Sequence, residues 1–298
     1  MLQEEGVSSS MVNEDYGAQI IAEAARVARI TTSMEKAGRI IVSTGRGGTG
    51  KSTFVALVSR YLKPPLLLLD IDPDQSLASM LGVELEEVKM KTEIGREVPV
   101  KTLSDLTGDL EEEDAFTELG GGPPTVKIPL LLQWYTQYQS EKFDLISLGP
   151  RWTEGDYRSA NFLFEFIIPS IGEHYANIVV DSPAGLEHLN RKVVPSINDL
   201  FLILDPSVKS IKHVERVKRI TNEVGIKYQR LYLVGNYAFD NDAEQYLKRT
   251  GETCLGKIDY DASVKEYNLK GKSLLNLPET SPACLSVKKI LTKAGYEI

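Results

Sequence analysis

The residues best suited to chemistry form one run, Gly45-Arg46-Gly47-Gly48-Thr49-Gly50-Lys51-Ser52-Thr53. An anion is held well when backbone N–H groups converge on it and the positive end of a helix stands behind them. Glycines let the backbone approach that closely, and a lysine closing the loop adds a full charge. A hydroxyl directly after the lysine suits the divalent ion that accompanies a polyphosphate. The spacing predicts a cradle for nucleotide phosphates built from Gly45, Gly47, Gly48, Thr49, Gly50, Lys51, Ser52 and Thr53. Lys51 would reach the β- and γ-phosphates, and Ser52 would face Mg2+.

Two further segments fit the same chemistry. Leu67-Leu68-Leu69-Asp70-Ile71-Asp72-Pro73-Asp74 is an apolar run ending in three acids. Ile178-Val179-Val180-Asp181-Ser182-Pro183-Ala184-Gly185 is a second apolar run, an acid and then a turn of small residues. Phosphoryl hydrolysis needs one acid near the metal and another positioning the attacking water, because the chemistry is mostly placement and charge neutralisation. An aspartate closing a strand is also what a helix cap looks like. The order of phosphate loop, acid and acid favours the hydrolytic reading.

Those side chains converge only if the apolar runs are neighbouring strands. Runs at 40–44, 66–71, 143–148, 178–181, 200–204, 231–234 and 254–258 are short and rich in Ile, Val and Leu. Strands of a sheet covered on both faces read this way. Helical patterns over 51–62, 160–168 and 209–224 fall between them. The fold class is α/β: a doubly wound, mostly parallel sheet flanked by helices, with ligands expected beyond the carboxyl ends of the strands. Residues 39–298 read as one domain. Residues 1–38 read as an extension with an amphipathic helix over 13–29, where Ile20, Ile21, Ala24, Ala25 and Val27 share a face. The stretch 84–127 carries Glu111-Glu112-Glu113-Asp114 and Gly120-Gly121-Gly122-Pro123-Pro124, and reads as a mobile acidic excursion.

The 298 residues are 42% hydrophobic and 26% charged, which is ordinary globular composition. A net charge of −8 argues against a general affinity for nucleic acid or anionic membrane. The two cysteines, Cys254 and Cys284, have neither disulfide-framework nor metal-finger spacing. His174, His188 and His213 are too scattered for a metal cluster, and Trp152 is a lone candidate for a contact surface. No apolar run approaches the roughly 18 residues of a membrane span. The start, Met1-Leu2-Gln3-Glu4-Glu5, is unlike a leader, so the expected location is the cytoplasm.

The G-[KR]-G-G-x-G-K-[ST] loop, the Asp-x-Asp-Pro element and the Asp-Ser-Pro-Ala-Gly segment together resemble the MinD/ParA/ArsA ATPases with a deviant phosphate loop. That implies a P-loop NTPase fold of the SIMIBI type. The run from Asp181 to Arg191, and Gly271-Lys272-Ser273-Leu274 with Leu277-Pro278-Glu279, resemble the CooC ATPases that assist nickel insertion into carbon monoxide dehydrogenase. The resemblance covers roughly 38–298 and implies ATP and Mg2+ as cofactors. It also implies a homodimer in the ATP state and a protein client, with a metalloenzyme in maturation as the candidate.

By position, the resemblance places Arg46 at the signature residue that reaches the partner's phosphates and Asp72 at the water-orienting acid. It places Asp70 and Asp181 around Mg2+, Gly185 at the γ-phosphate-sensing switch, and Asn236 and Pro206 at the adenine. Two departures stand out. Arginine replaces lysine at 46, and Asp156 and Arg158 stand where CooC proteins carry the paired thiols of C-x-C. An Asp–Arg pair does not suit Ni2+ or Zn2+ but would cross-bridge a twofold dimer. The alternatives are a MinD/ParA-like positioning or partitioning ATPase, with 286–294 as its membrane-touching helix, and an ATP-dependent amide synthetase or kinase. The bland reading of 286–294 is a last helix packed on the sheet.

Overall fold

The computed structural model describes residues 38–85, 88–91, 97–100, 138–149, 168, 172–185, 194, 196–236, 239 and 241–298. In chain order the strands are β1 (Arg39–Gly45), β2 (Leu66–Asp70), β3 (Val88–Lys91), β4 (Glu97–Val100) and β5 (Tyr138–Gln139). They continue with β6 (Asp144–Ser147), β7 (Asn177–Asp181), β8 (Ser196–Leu204), β9 (Lys227–Gly235) and β10 (Thr253–Lys257). The helices are α1 (Lys51–Ser59), α2 (Ser76–Leu81), α3 (Val208–Val224), α4 (Asn241–Lys248), α5 (Ala262–Leu269) and α6 (Pro282–Lys293).

Eight strands form one sheet in the order β10-β9-β8-β1-β7-β2-β6-β5. Every pairing in it is parallel except that of β5 with β6. Alternate residues of each central strand face opposite layers, as the strand period of two requires. Ile40, Val42, Leu67, Leu69, Ile178, Val180, Leu200 and Leu202 pack in the layer that holds Val214 and Val217 of α3. Ile41, Leu68, Val179, Phe201 and Ile203 pack in the other, with Phe54 of α1 and Val287 and Ile290 of α6. The sheet is therefore covered on both faces, which is why its strands read as unbroken apolar runs.

The helix predicted over 51–62 ends at Ser59 as an α-helix. Pro64 and Pro65 follow closely, and the residue before a proline is pushed away from helical geometry. The last helix starts earlier than the run 286–294. Ser281 caps it by accepting from Cys284 N–H, and Pro282 sits in its first turn. The stretch 84–127 contains an antiparallel pair, β3 with β4, that its charge pattern did not reveal. The rest of that stretch beyond residue 85, the extension 1–37, most of the helix expected over 160–168, Asp156, Arg158, Trp152 and His188 lie outside the described residues.

One buried ion cluster ties the domain together at the amino-terminal side of the sheet. Asp199 in β8 is fully buried and meets Arg39 Nε at 2.5 Å and Arg230 Nε at 2.7 Å. The Tyr296 hydroxyl also donates to it, and the Arg39 guanidinium lies 3.6 Å from the Tyr296 ring centroid. A buried carboxylate is tolerated only when partnered in this way.

Candidate active site

Four adjacent strands, β8, β1, β7 and β2, end together at the carboxyl edge, bringing Leu204, Gly45, Asp181 and Asp70 side by side. β1 lies in the middle, and the loop 45–50 leaves its end to start α1 at Lys51. Gly50 turns the chain with φ of +91°, a left-handed conformation that favours glycine. No side chain caps α1 and no acid stands in its first turn, so its N–H groups and positive dipole are left for an anion.

The loop is held by its own carbonyl at Arg46. That oxygen accepts from Thr49 Oγ1 at 2.9 Å and from Lys51 Nζ at 3.3 Å. Lys51 is 6% exposed, and burial pulls its pKa down while the charges of Asp181 and Asp72 push it back up. The ammonium is thus parked under the loop beside two carboxylates. Ser52 follows it, half-buried. Thr53, predicted to join the cradle, donates its hydroxyl to Met80 Sδ at 3.7 Å, on the α2 side.

Asp70 and Asp181 are opposite one another in the parallel register of β2 and β7, and both are fully buried. Burial pushes the Asp181 carboxyl up to about 7; the Ser52 hydroxyl and the Lys51 charge pull it back, and the Asp72 charge adds to the rise. The Ser52 hydroxyl nevertheless completes no well-formed hydrogen bond to Asp181, both of whose oxygens lack a partner, as does Asp70 Oδ2. Asp70 is also raised well above the usual carboxylate range, by burial first and then by the charge of Asp181. Buried carboxylate oxygens with no partner are costly. A hard dication with oxygen ligands beside Ser52 would satisfy them, so the donor set fits Mg2+. No group of three or more metal-binding side chains occurs among the described residues, which is no obstacle where phosphate oxygens and water complete the shell.

Asp72 sits two residues beyond β2, half-buried, with its Oδ1 accepting from Asp74 N–H at 3.1 Å. Its own N–H donates to Asp70 Oδ1 at 3.1 Å. Burial raises its pKa, opposed by the Asp74 N–H and the Lys51 charge. Gly185 donates its N–H to Gly45 O at 3.3 Å, closing a short antiparallel bridge between the turn after β7 and the start of the phosphate loop.

Arg46 folds back onto its own chain. Its Nη1 lies 3.3 Å from Asp205 Oδ2 and 3.4 Å from Ser207 Oγ, in the turn between β8 and α3. Pro206, exposed, sits between these two residues. Sequence reasoning missed Asp205, although an apolar run closed by Asp-Pro-Ser is the signal that had already singled out Asp70 and Asp181. Asn236, just after β9, donates Nδ2 to the Thr49 carbonyl at 2.8 Å. His213 on α3 is buried, and burial and the charges of Arg46, Arg216 and Lys51 lower its pKa. Elsewhere His174 is exposed, Cys254 half-buried and Cys284 buried, both cysteines as free thiols.

Residues 40–275 match the model of the CobQ/CobB/MinD/ParA nucleotide-binding domain. The chain belongs to this family. An ATP-binding protein of Methanocaldococcus jannaschii is 29% identical over 260 residues, covering 85% of this chain and 97% of its own. The carbon monoxide dehydrogenase accessory protein CooC of Rhodospirillum rubrum is 26% identical over 267 residues, covering 86% and 96%. A ParA family ATPase from Chlorobium tepidum shares the fold with a TM-score of 0.61 at 21% identity, covering 86% of this chain and 98% of that one. The likeness to MinD/ParA ATPases rests on the matched domain and the common sheet, and the modest likeness to CooC on sequence.

Proposed function

We propose that this chain binds and hydrolyses ATP as a dimeric switch protein of the CooC/MinD type and assists the maturation of a metalloenzyme. The observation that carries the nucleotide part is the pair of buried carboxylates Asp70 and Asp181, with Asp70 Oδ2 and both Asp181 oxygens lacking a partner, beside Ser52 and Lys51 under a glycine loop. In this reading the loop amides and the N-terminus of α1 bind the phosphates, and Lys51 leaves the Arg46 carbonyl for the β/γ oxygens. Ser52, Asp70 and Asp181 hold Mg2+, which neutralises phosphate charge when bound. The Asp72 oxygen not engaged by Asp74 orients water, and Gly185 trades its bond to Gly45 for the γ-phosphate. Pro206 and Asn236 lie beside the base. Arg46 leaves Asp205 to reach the phosphates of a second copy, a charge-assisted and bidentate-capable contact.

The maturation role rests on the likeness to CooC, and the client is a protein recognised in the ATP state. A membrane-positioning role is less well supported. The run 286–294 buries Val287, Ile290 and Leu291 in the core, so its apolar face is already spent. Among the described residues no helix is long and apolar enough to cross a membrane.

The test is single-turnover hydrolysis with Asp72→Ala. The variant should bind ATP as the parent does and release phosphate at least about a hundredfold more slowly, the usual cost of losing a positioned acid or base. Turnover near the parent rate would remove Asp72 from this role. Formation of an acyl phosphate on a small carboxylic acid would favour a synthetase or kinase instead.

A further inference from the structure

We propose that Asn236 is a positioning residue for the phosphate loop, holding the Thr49–Gly50 peptide in the orientation that anion binding needs. The inference rests on the nucleotide reading of the site. Its basis is the 2.8 Å bond from Asn236 Nδ2 to the Thr49 carbonyl, which spans 187 positions of sequence. A peptide unit is planar and trans, so its C=O and N–H point in opposite directions. With the Thr49 oxygen drawn toward Asn236, the Gly50 N–H is directed away from Asn236. A flip of this one peptide would turn a carbonyl toward the anion in place of an amide. The glycine at 50, with φ of +91°, has the backbone freedom to make that flip.

The support under Asn236 is rigid. Its N–H donates to Leu204 O of β8 at 2.8 Å, and the carbonyl of Gly235 before it accepts from Ile258 N–H at 2.8 Å. Phe239 packs against Gly235 so closely that a Cβ there would fall 2.7 Å from its ring. The contact with the loop is equally tight, since a Cβ on Gly50 would fall 2.2 Å from Asn236 Nδ2. The loop's other end is fixed separately, by Thr49 Oγ1 on the Arg46 carbonyl. A rigid strand end therefore reaches across β8 and clamps a loop on β1. A residue beside the base would then also set the grip on the phosphates.

Inorganic tripolyphosphate separates this role from a contact with the base, because it has phosphates and no base. Its affinity, and that of ATP, would be measured by calorimetry with Mg2+ for the parent, Asn236→Ala, Asn236→Asp and Asn236→Gln. The expected result is that Asn236→Ala weakens tripolyphosphate about fivefold, for one net hydrogen bond, and ATP by at least that factor. Asn236→Asp keeps the shape but replaces the donor with an acceptor facing a carbonyl, and should lose more. Asn236→Gln keeps the amide donor on a longer arm and should recover part of the grip, which a merely structural role would not allow. If Asn236→Ala and Asn236→Asp weaken ATP yet leave tripolyphosphate at parent affinity, Asn236 acts at the base alone and the inference fails. If tripolyphosphate binds and ATP does not, the ATP reading fails while the clamp stands or falls by the same variants. Should Asn236→Ala prove unfolded by its melting curve, the isosteric Asn236→Asp decides.

Discussion

Lowering the pH should weaken the Mg2+-dependent part of ATP binding in a way that Asp181 sets. In the free protein burial holds this carboxyl up to about 7. Mg2+ needs the carboxylate, so below that value the ion must first displace a proton. The sign is fixed: the contribution is fully present above the raised pKa and is lost as pH falls through it. A group with pKa about 7 lowers the apparent affinity by a factor of 1 + 10^(7 − pH), which is about 1.1 at pH 8 and about 11 at pH 6. The magnesium increment should therefore shrink about tenfold over two pH units. Asp70, raised in the same direction, can only steepen the fall. The assay is calorimetric titration of ATP with Mg2+ and with EDTA at pH 6, 7 and 8. Since the terminal phosphate of ATP also titrates here, Asp181→Asn is the control, and its increment should be small and follow the nucleotide alone. An increment in the parent that stays constant from pH 8 to 6 would refute the reasoning.

Lys51→Ala should abolish nucleotide-dependent behaviour, since about 3 kcal/mol of phosphate stabilisation goes with the ammonium; unchanged ATP affinity and turnover would remove the assignment. Arg46→Ala should weaken ATP-dependent dimerisation and hydrolysis together while monomer binding suffers less, as read by sedimentation in ATP with hydrolysis blocked. The pair Arg46–Asp205 is partly exposed at 36% and 25%, so freeing the arginine costs about 1 kcal/mol at most. ATP should be preferred over GTP, because Asn236-Tyr237-Ala238-Phe239 lacks the Asn-Lys-x-Asp arrangement that reads guanine. Direct titration with GTP checks this, and equal affinity would count against it.

The central strands were legible because parallel strands covered on both faces are continuous apolar runs, as Leu66-Leu67-Leu68-Leu69 shows. Their outer portions were not. β8 begins Ser196-Ile197-Asn198-Asp199, and its aspartate is acceptable only because Arg39 and Arg230, far away in sequence, neutralise it. β9 begins Lys227-Tyr228-Gln229-Arg230 because that end is partly exposed. β5 has two residues and leaves no pattern to read. At the candidate site, the glycine loop after β1 and the acids ending β2 and β7 were legible because a tight turn at a strand end demands glycine and the acids close apolar runs. The partners of Arg46 in Asp205 and Ser207, and the hold of Asn236 on Thr49, depend on which strands become neighbours. No local pattern carries that information.

The ring of Tyr296 beneath the Arg39 guanidinium means that the last residues of the domain lie against its first strand. Once the residues before Gly38 are removed, two ends that meet in this way can be joined. A short linker from Ile298 back to Gly38, with the chain reopened at the exposed turn around Gly251, would be a circular permutant that keeps every sheet neighbour. Gly38, just before β1, and Ile298, two residues past Tyr296, lie toward the end of the sheet away from Gly45, Asp70 and Asp181. A fluorophore or affinity handle attached at Ile298 would report on the molecule without standing in the path of its ligand.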